Sequence, residues 1–489
     1  MKQSNRLLCG ISPESVLYYF EEISRIPRGS GNEAAVAEYL VAFARERDLY
    51  CYRDAANNVL IRKAATPDRT AAPALLLQGH TDMVCEKNGA TAHDFLTDPI
   101  HLVKDGEWLR AEGTTLGGDD GIAVAMMLAL LDGALASHPT YECLFTTEEE
   151  TGMGGAIAFD YSLLTARHMI NLDSEEEDQI TVGCAGGLRT DLTLPVQRIA
   201  DERGETCRIS LTGLCGGHSG ENINCGRANA NNLMARMLCA LQKDHELRLI
   251  SIDGGSKDNA IPRECEAIVC TRNAAAVAMA LMLLSDEIGG ELVEEDSGCT
   301  VRCERLDTAA CAALLPPMDT ASTHRVLAAL NTIPCGVLRM SMQVPGLVEY
   351  SRNVGVLKTE ETAVCLTASS RSCRESLLDH TEQSLADFAL LCGGTAQHRN
   401  RYPGWEYAPD SAVRTAYLAA YTALYGKTPR VAAIHAGLEC GYIRKQIPDM
   451  DIISIGPDMQ GIHSPDERLH LPSVDRVWRA LCRVIDTWN

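Results

Sequence analysis

Four of the 13 histidines, His80, His218, His435 and His463, stand in settings that could do chemistry. His80 belongs to Gly79-His80-Thr81-Asp82, directly after an apolar stretch that reads as a strand. Side-chain direction repeats every second residue in extended chain, so His80 and Asp82 project together. A carboxylate beside an imidazole orients the ring and makes it a better metal ligand. Taken alone, His-x-Asp is more often an ordinary loop histidine. Asp119 and Asp120, in Leu116-Gly117-Gly118-Asp119-Asp120-Gly121, precede a helical stretch. They read either as helix-capping acids or as a carboxylate that bridges two cations. Glu148-Glu149-Glu150 repel one another unless positive charge is near, the alternative being an exposed acidic loop. The same pair of readings applies to Asp173. His463 follows in Gly461-Ile462-His463-Ser464-Pro465-Asp466.

The set says more than its members. One His, two Asp, one Glu and a distant His all fall at predicted strand ends of one sheet. Oxygen and imidazole ligands without thiolates suit zinc, manganese or cobalt in a catalytic site. Two such metals about 3.5–4 Å apart polarise a carbonyl and deprotonate a shared water.

The elements that must position these residues alternate between helix and strand. Residues 14–26 and 33–47 have helical periodicity, 58–62 and 74–78 read as strands, 121–131 as a helix, and 142–146 and 168–171 as strands. This is an α/β layer with a mixed, mostly parallel sheet flanked by helices, whose ligand sites gather at the carboxyl ends of strands. After Gly183-Cys184-Ala185-Gly186-Gly187 the pattern becomes α+β: a strand at 207–211, a helix at 228–242, a strand at 264–271 and a helix at 274–288. Residues 258–272 and 351–371 look like variants of one hairpin unit, which suggests an internal duplication. From residue 401 the α/β pattern resumes. The expected organisation is a catalytic domain in two parts, 1–187 and 400–489, with a domain inserted at 188–399.

Composition excludes several classes. The formal net charge of −22 disfavours nucleic acid and anionic membranes as partners. No apolar run approaches the roughly 18 residues that a membrane span needs, nor is there a stretch of signal-peptide character. The 20 cysteines are scattered through apolar stretches, as free thiols of a reducing cytoplasm would be. Cys215-Gly216-Gly217-His218 lacks a second half to make a zinc site. No Gly-rich segment forms a nucleotide loop.

At these residues the chain resembles the M20 metallopeptidases, and among them the aminoacyl-histidine dipeptidase group (peptidase D, or cytosolic non-specific dipeptidase). The resemblance rests on residues 78–84, 113–121, 147–153, 171–177, 183–187, 216–220, 259–263, 402–405, 434–441 and 456–467, which run in order through nearly the whole chain. It implies a di-zinc exopeptidase fold with the inserted domain as a lid. It also implies two divalent metals: zinc, with manganese or cobalt as alternatives. His80 and Asp173 would hold one metal, Glu150 and His463 the other, and Asp119 would bridge them. Asp82 would orient His80, and Glu149 would be the general base. His218 would stabilise the oxyanion. Asn259 and Arg371 would hold the substrate carboxylate, and His435, Gly437 and Glu439 would line the pocket. The implied partners are dipeptides and a second copy of the chain in a homodimer. The family pattern has Ala-Asp-Asn where this chain has Gly118-Asp119-Asp120, so Asp120 adds a carboxylate beside the bridge.

An N-acyl-amino-acid deacylase or a carboxypeptidase would share this centre. A non-catalytic peptide- or metal-binding protein on the same fold is the reading from a different class.

Overall fold

The computed structural model describes residues 6–199 and 204–489. The chain forms two compact units. The first takes the chain up to Gly183, then Trp405–Ala433 and Leu438–Asn489; the second takes Cys184–Gly404 and the short return Ile434–Gly437. The expected division at residues 187 and 400 makes no provision for that return. It exists because the Ala185 N–H is shared between the carbonyls of Ile434 (3.2 Å) and Ala436 (2.9 Å).

The first unit is built on an eight-stranded sheet. Its order is Tyr50–Arg53, Val59–Lys63, Tyr141–Thr146, Leu75–His80, His168–Asn171, Asp451–Ser454, Gln179–Cys184 and Arg430–Ile434. The four strands from Tyr141–Thr146 to Asp451–Ser454 run parallel. Antiparallel pairs flank them. Leu75–His80 is buried at every residue, which is why it reads as a continuous apolar run rather than an alternating one. Helix Gly118–Leu131 is likewise buried along its whole length. It carries apolar residues on all sides, as a helix enclosed on all sides should, and packs on helix Glu14–Ile23 and strand Leu75–His80. The closing helix Leu471–Thr487 is amphipathic and buries Val474, Val477, Leu481 and Val484.

A second, small sheet in this unit bears directly on function. Its order is Met459–Gln460, Arg468–His470, Trp108–Ala111 and Leu102–Asp105. Its strands are two to four residues long, too short for a period-two pattern to register.

The second unit is a nine-stranded sheet with helices. Along its main path the order is Thr300–Arg305, Glu205–Thr212, Cys265–Thr271, Leu247–Gly254, Val348–Thr359, Ala363–Ser372, Gly186–Pro195 and Thr395–Tyr402, with Gly336–Met340 pairing beside Val348–Thr359. The path has mirrored halves. Glu205–Thr212, helix Ala230–Leu241, Leu247–Gly254, Cys265–Thr271, helix Ala274–Gly289 and Thr300–Arg305 follow one another in the chain. The other half repeats that alternation with Gly186–Pro195, helix Thr320–Thr332, Val348–Thr359, Ala363–Ser372, helix Glu375–Leu391 and Thr395–Tyr402. An internal duplication would produce this order. None of the 20 cysteines is placed in a disulfide among the described residues.

Candidate metal centre

His80 ends its strand with its ring buried. Nδ1 lies 3.3 Å from Asp82 Oδ1, and Nε2 lies 3.1 Å from Asp119 Oδ1 and 3.8 Å from Asp173 Oδ1. Asp82 also ties down the acidic loop. It accepts the backbone N–H groups of Glu149 (3.1 Å) and Glu150 (3.2 Å), and the Ser30 hydroxyl at 2.8 Å. His463 Nε2 lies 3.1 Å from Asp119 Oδ2 and 3.0 Å from Glu150 Oε2. Asp119 thus turns one oxygen to each histidine. Two donor groups result, His80 with Asp119 and Asp173, and Asp119 with Glu150 and His463.

The five donors do not all come from one sheet's strand ends, as the sequence pattern suggested. His80, Glu150 and Asp173 do follow strands of the large sheet. His463 instead lies in the loop between Met459–Gln460 and Arg468–His470, so the small sheet supplies it. Asp119 lies in the non-helical entry to helix Gly118–Leu131. The small sheet unites these two. Arg468–His470 pairs with Trp108–Ala111, the strand that leads into the Asp119 loop. Glu467 then accepts the backbone N–H groups of Leu116 (2.7 Å), Gly117 (3.0 Å), Gly118 (2.8 Å) and Asp119 (3.3 Å). Buried Arg28 clamps the same turn from beneath, donating to the carbonyls of Thr81 (2.9 Å), Asp82 (3.0 Å) and Gly117. Neither Arg28 nor Glu467 stands out in the sequence, because both act through backbone groups.

The donor set fits divalent cations. Asp119, Glu150 and Asp173 crowd round two imidazoles, and among the described residues no Lys or Arg pairs with any of the three. Hydrogen bonding to Asp119 and Glu150 raises His463 to about 10. Glu150 Oε1 is buried with no partner. Carboxylate oxygens with two imidazoles are hard-to-borderline donors, suited to zinc, manganese or cobalt.

Glu149 lies beside Glu150 and outside both donor groups. Desolvation pushes its carboxyl up to about 8, with Glu439, Glu150 and Asp119 adding to the rise and His80 opposing it. Asp120 is fully buried. Its Oδ2 accepts the His80 backbone N–H at 3.2 Å and contacts the position a side chain at Gly79 would fill, so only glycine fits before His80. Burial holds the Asp120 carboxyl well above the usual range.

Glu439, an expected pocket-lining residue, has one engaged carboxylate oxygen. It is fully buried in the first unit, and its Oε2 accepts from Gln78 Nε2 (2.5 Å) and Thr146 Oγ1 (2.6 Å). Gln78 in turn accepts from Asn171 at 2.7 Å. This buried chain links three strands of the large sheet, and Glu439 Oε1 is left without a hydrogen-bond partner.

The remaining expected residues lie in the second unit. Arg371 is 5% exposed. Nη1 donates to Tyr402 Oη at 3.0 Å, and Nη2 lies 3.3 Å from His218 Nε2. It makes no ion pair among the described residues. His218 is held below its ordinary pKa by burial and by Arg371. The His435 ring is buried, with Nε2 2.6 Å from Ser351 Oγ. Gly437 lies on the Ile434–Gly437 return. Asn259 is exposed, and its carbonyl accepts the Ser219 N–H at 2.8 Å.

Residues 76–487 match the profile of peptidase family M20/M25/M40. The chain belongs to that family. Its M20 relatives include the cytosol non-specific dipeptidase of Escherichia coli K12, 39% identical over 481 residues and covering 98% of each chain. The solved aminoacylhistidine dipeptidase of Vibrio alginolyticus is 37% identical with a TM-score of 0.93, over 100% of this chain and 99% of that one. The dipeptidase Dug1p of Saccharomyces cerevisiae, 13% identical over 97% of this chain and 95% of its own, has a TM-score of 0.53 and shares the fold. This chain is accordingly an M20 peptidase, a hydrolase of peptide bonds, with candidate ligand clusters for metal.

Proposed function

We propose that this M20 chain is a two-metal dipeptidase, with zinc as its metal, and that Xaa-His dipeptides are among its substrates. The observation that carries the reading is Asp119, which offers one oxygen to each of two donor groups. Two relatives matched over nearly their full length both bear dipeptidase names, which favours dipeptides over N-acyl amino acids. The Vibrio relative's name supports a histidine at the substrate's C-terminus. The Escherichia relative's name supports a cytoplasmic location, and no helix among the described residues is long and apolar enough to cross a membrane.

His80, Asp119 and Asp173 would hold one cation, and Asp119, Glu150 and His463 the other. When bound, such a pair polarises the scissile carbonyl and lowers the pKa of a water placed between them. Asp82 holds the His80 ring through Nδ1, so that Nε2 faces Asp119 and Asp173. Glu149, the carboxylate next to a ligand but not one itself, takes the water's proton and returns it to the leaving nitrogen. His218 keeps the oxyanion assignment. Arg371, a buried guanidinium with no carboxylate of its own, is suited to the substrate's terminal carboxylate. Asn259 is assigned to the same group.

The test is hydrolysis by metal-stripped protein reloaded with zinc, manganese or cobalt. The substrates are Xaa-His and other dipeptides, a tripeptide and an N-acetyl amino acid. Metal-dependent cleavage confined to dipeptides is expected. Cleavage of the N-acetyl compound alone would move the chain to the deacylases. Silence on every substrate would sink the proposal.

A further inference from the structure

Strand Val348–Thr359 presents alternate residues to opposite faces of its sheet. Ser351 reaches His435, and across from Ser351 on the neighbouring strand stands Arg371. Arg352, the next residue along, turns to the other face, across from Ser370. Two arginines without ion pairs therefore lie on opposite faces of one sheet, and the family's chemistry accounts for Arg371 alone.

Arg352 is 3% exposed. Nε donates to Ser370 Oγ at 3.1 Å and Nη2 to Tyr350 Oη at 2.6 Å. Both partners are neutral, and among the described residues Arg352 makes no ion pair. The nearest acid in the chain, Glu349, is taken by Arg339 (2.6 Å) and Arg374 (2.7 Å). A guanidinium stays charged at any working pH, and burying that charge without a counter-charge is costly.

A cavity of about 740 Å³ opens beside this group, within the size range of small-molecule sites. Leu338, Leu385, Phe388 and Leu391 form its apolar walls; Arg352 is the one permanent cation among its lining residues, and Asp387, exposed and bonded by Gln383 at 3.0 Å, is the one carboxylate. Asp387 is exposed to solvent whereas Arg352 is buried, so the charge left uncompensated among the apolar walls is the guanidinium's, and a monoanion balances it.

We propose that this cavity binds a small amphiphilic carboxylate. Its carboxylate lies against the Arg352 guanidinium and its apolar body against Leu385 and Phe388. The Tyr350 and Ser370 hydroxyls hold the guanidinium in place, so the ligand need not order it.

The test is calorimetric titration of the full chain with 4-phenylbutyrate, 4-phenylbutanol and 4-phenylbutylamine, which share an apolar body and differ in charge. The acid is expected to bind, and the alcohol and amine to bind at least about tenfold more weakly, as loss of one charge-assisted hydrogen-bonded pair implies. Arg352→Met should lose the acid to the same extent while keeping its thermal stability, since an apolar chain replaces an unpaired buried charge. Phe388→Ser, at a half-buried wall position, should weaken binding of the acid without touching the charge. Arg371→Met should leave it intact, which separates this cavity from binding at the peptidase centre. Equal binding of acid and alcohol would overturn the proposal. So would undiminished binding of the acid in both Arg352→Met and Phe388→Ser, or its loss in Arg371→Met alone.

Discussion

Glu467 Oε1 accepts the backbone N–H of Asp119 at 3.3 Å. With the three further backbone bonds to its carboxylate, this acid near the chain's end fixes the turn that aims Asp119 at both histidines. Replacing Glu467 with Ala leaves those N–H groups buried and unpaired. The expected cost is about 3 kcal/mol of stability, with weakened metal binding in both donor groups. Urea unfolding and zinc titration measure the two effects. Unchanged zinc affinity would show that the turn holds its shape without the cap.

Asp119 and Asp173 should differ in what their loss removes. Asp119→Ala takes a ligand from both donor groups and is expected to reduce zinc stoichiometry from two toward none. Asp173→Ala strips one group only and should leave one zinc bound. Metal analysis after dialysis decides it. Equal stoichiometry in the two variants would contradict the bridge.

Glu149→Gln keeps the size of the side chain and removes its basicity. It should retain two metals and lose about 100-fold or more in kcat, the ordinary contribution of a positioned base. A variant of near-normal kcat would take Glu149 out of the reaction.

Acid should destabilise the second unit through His435. Burial, with Arg371 and His218 adding to it, pushes this imidazole down to about 3, against about 6.5 in an unfolded chain. Between those values the unfolded state binds a proton that the native state does not. Stability is therefore intact above about pH 6.5 and falls as pH drops toward 3, by up to about 1.4 kcal/mol per pH unit. In His435→Gln the decline should be shallower by one proton. Urea midpoints from pH 7 to pH 5 would show this, and parallel slopes in the two proteins would refute it.

Much of the centre was legible because ligand residues declare themselves by type. His80 with Asp82, Asp119, the Glu149-Glu150 pair, Asp173 and His463 lie together, all but His463 beside apolar strands or a helix that the sequence displays. The scaffold was legible for the same reason, since the strand Leu75–His80 and the helices carry periodicity over many residues. What escaped notice was small or indirect. The strands of the four-stranded sheet are too short to show a period, so nothing in the sequence separates His463 from the donors of the large sheet. Arg28 and Glu467 act on backbone carbonyls and N–H groups, which have no signature in side-chain spacing. Glu439 shares a segment with His435, and the passage of the chain from one unit to the other between Gly437 and Leu438 has no mark in the sequence. Arg352 could not be distinguished from a surface arginine until its strand partners and the engaged Glu349 were known.

The order of the donors along the chain also has a consequence for synthesis. His463 follows His80, Asp119, Glu150 and Asp173, and Glu467, which shapes the Asp119 turn, comes later still. A chain emerging from the ribosome therefore carries no complete second donor group until residue 463 has been added. The same holds for a fragment that lost its last segment.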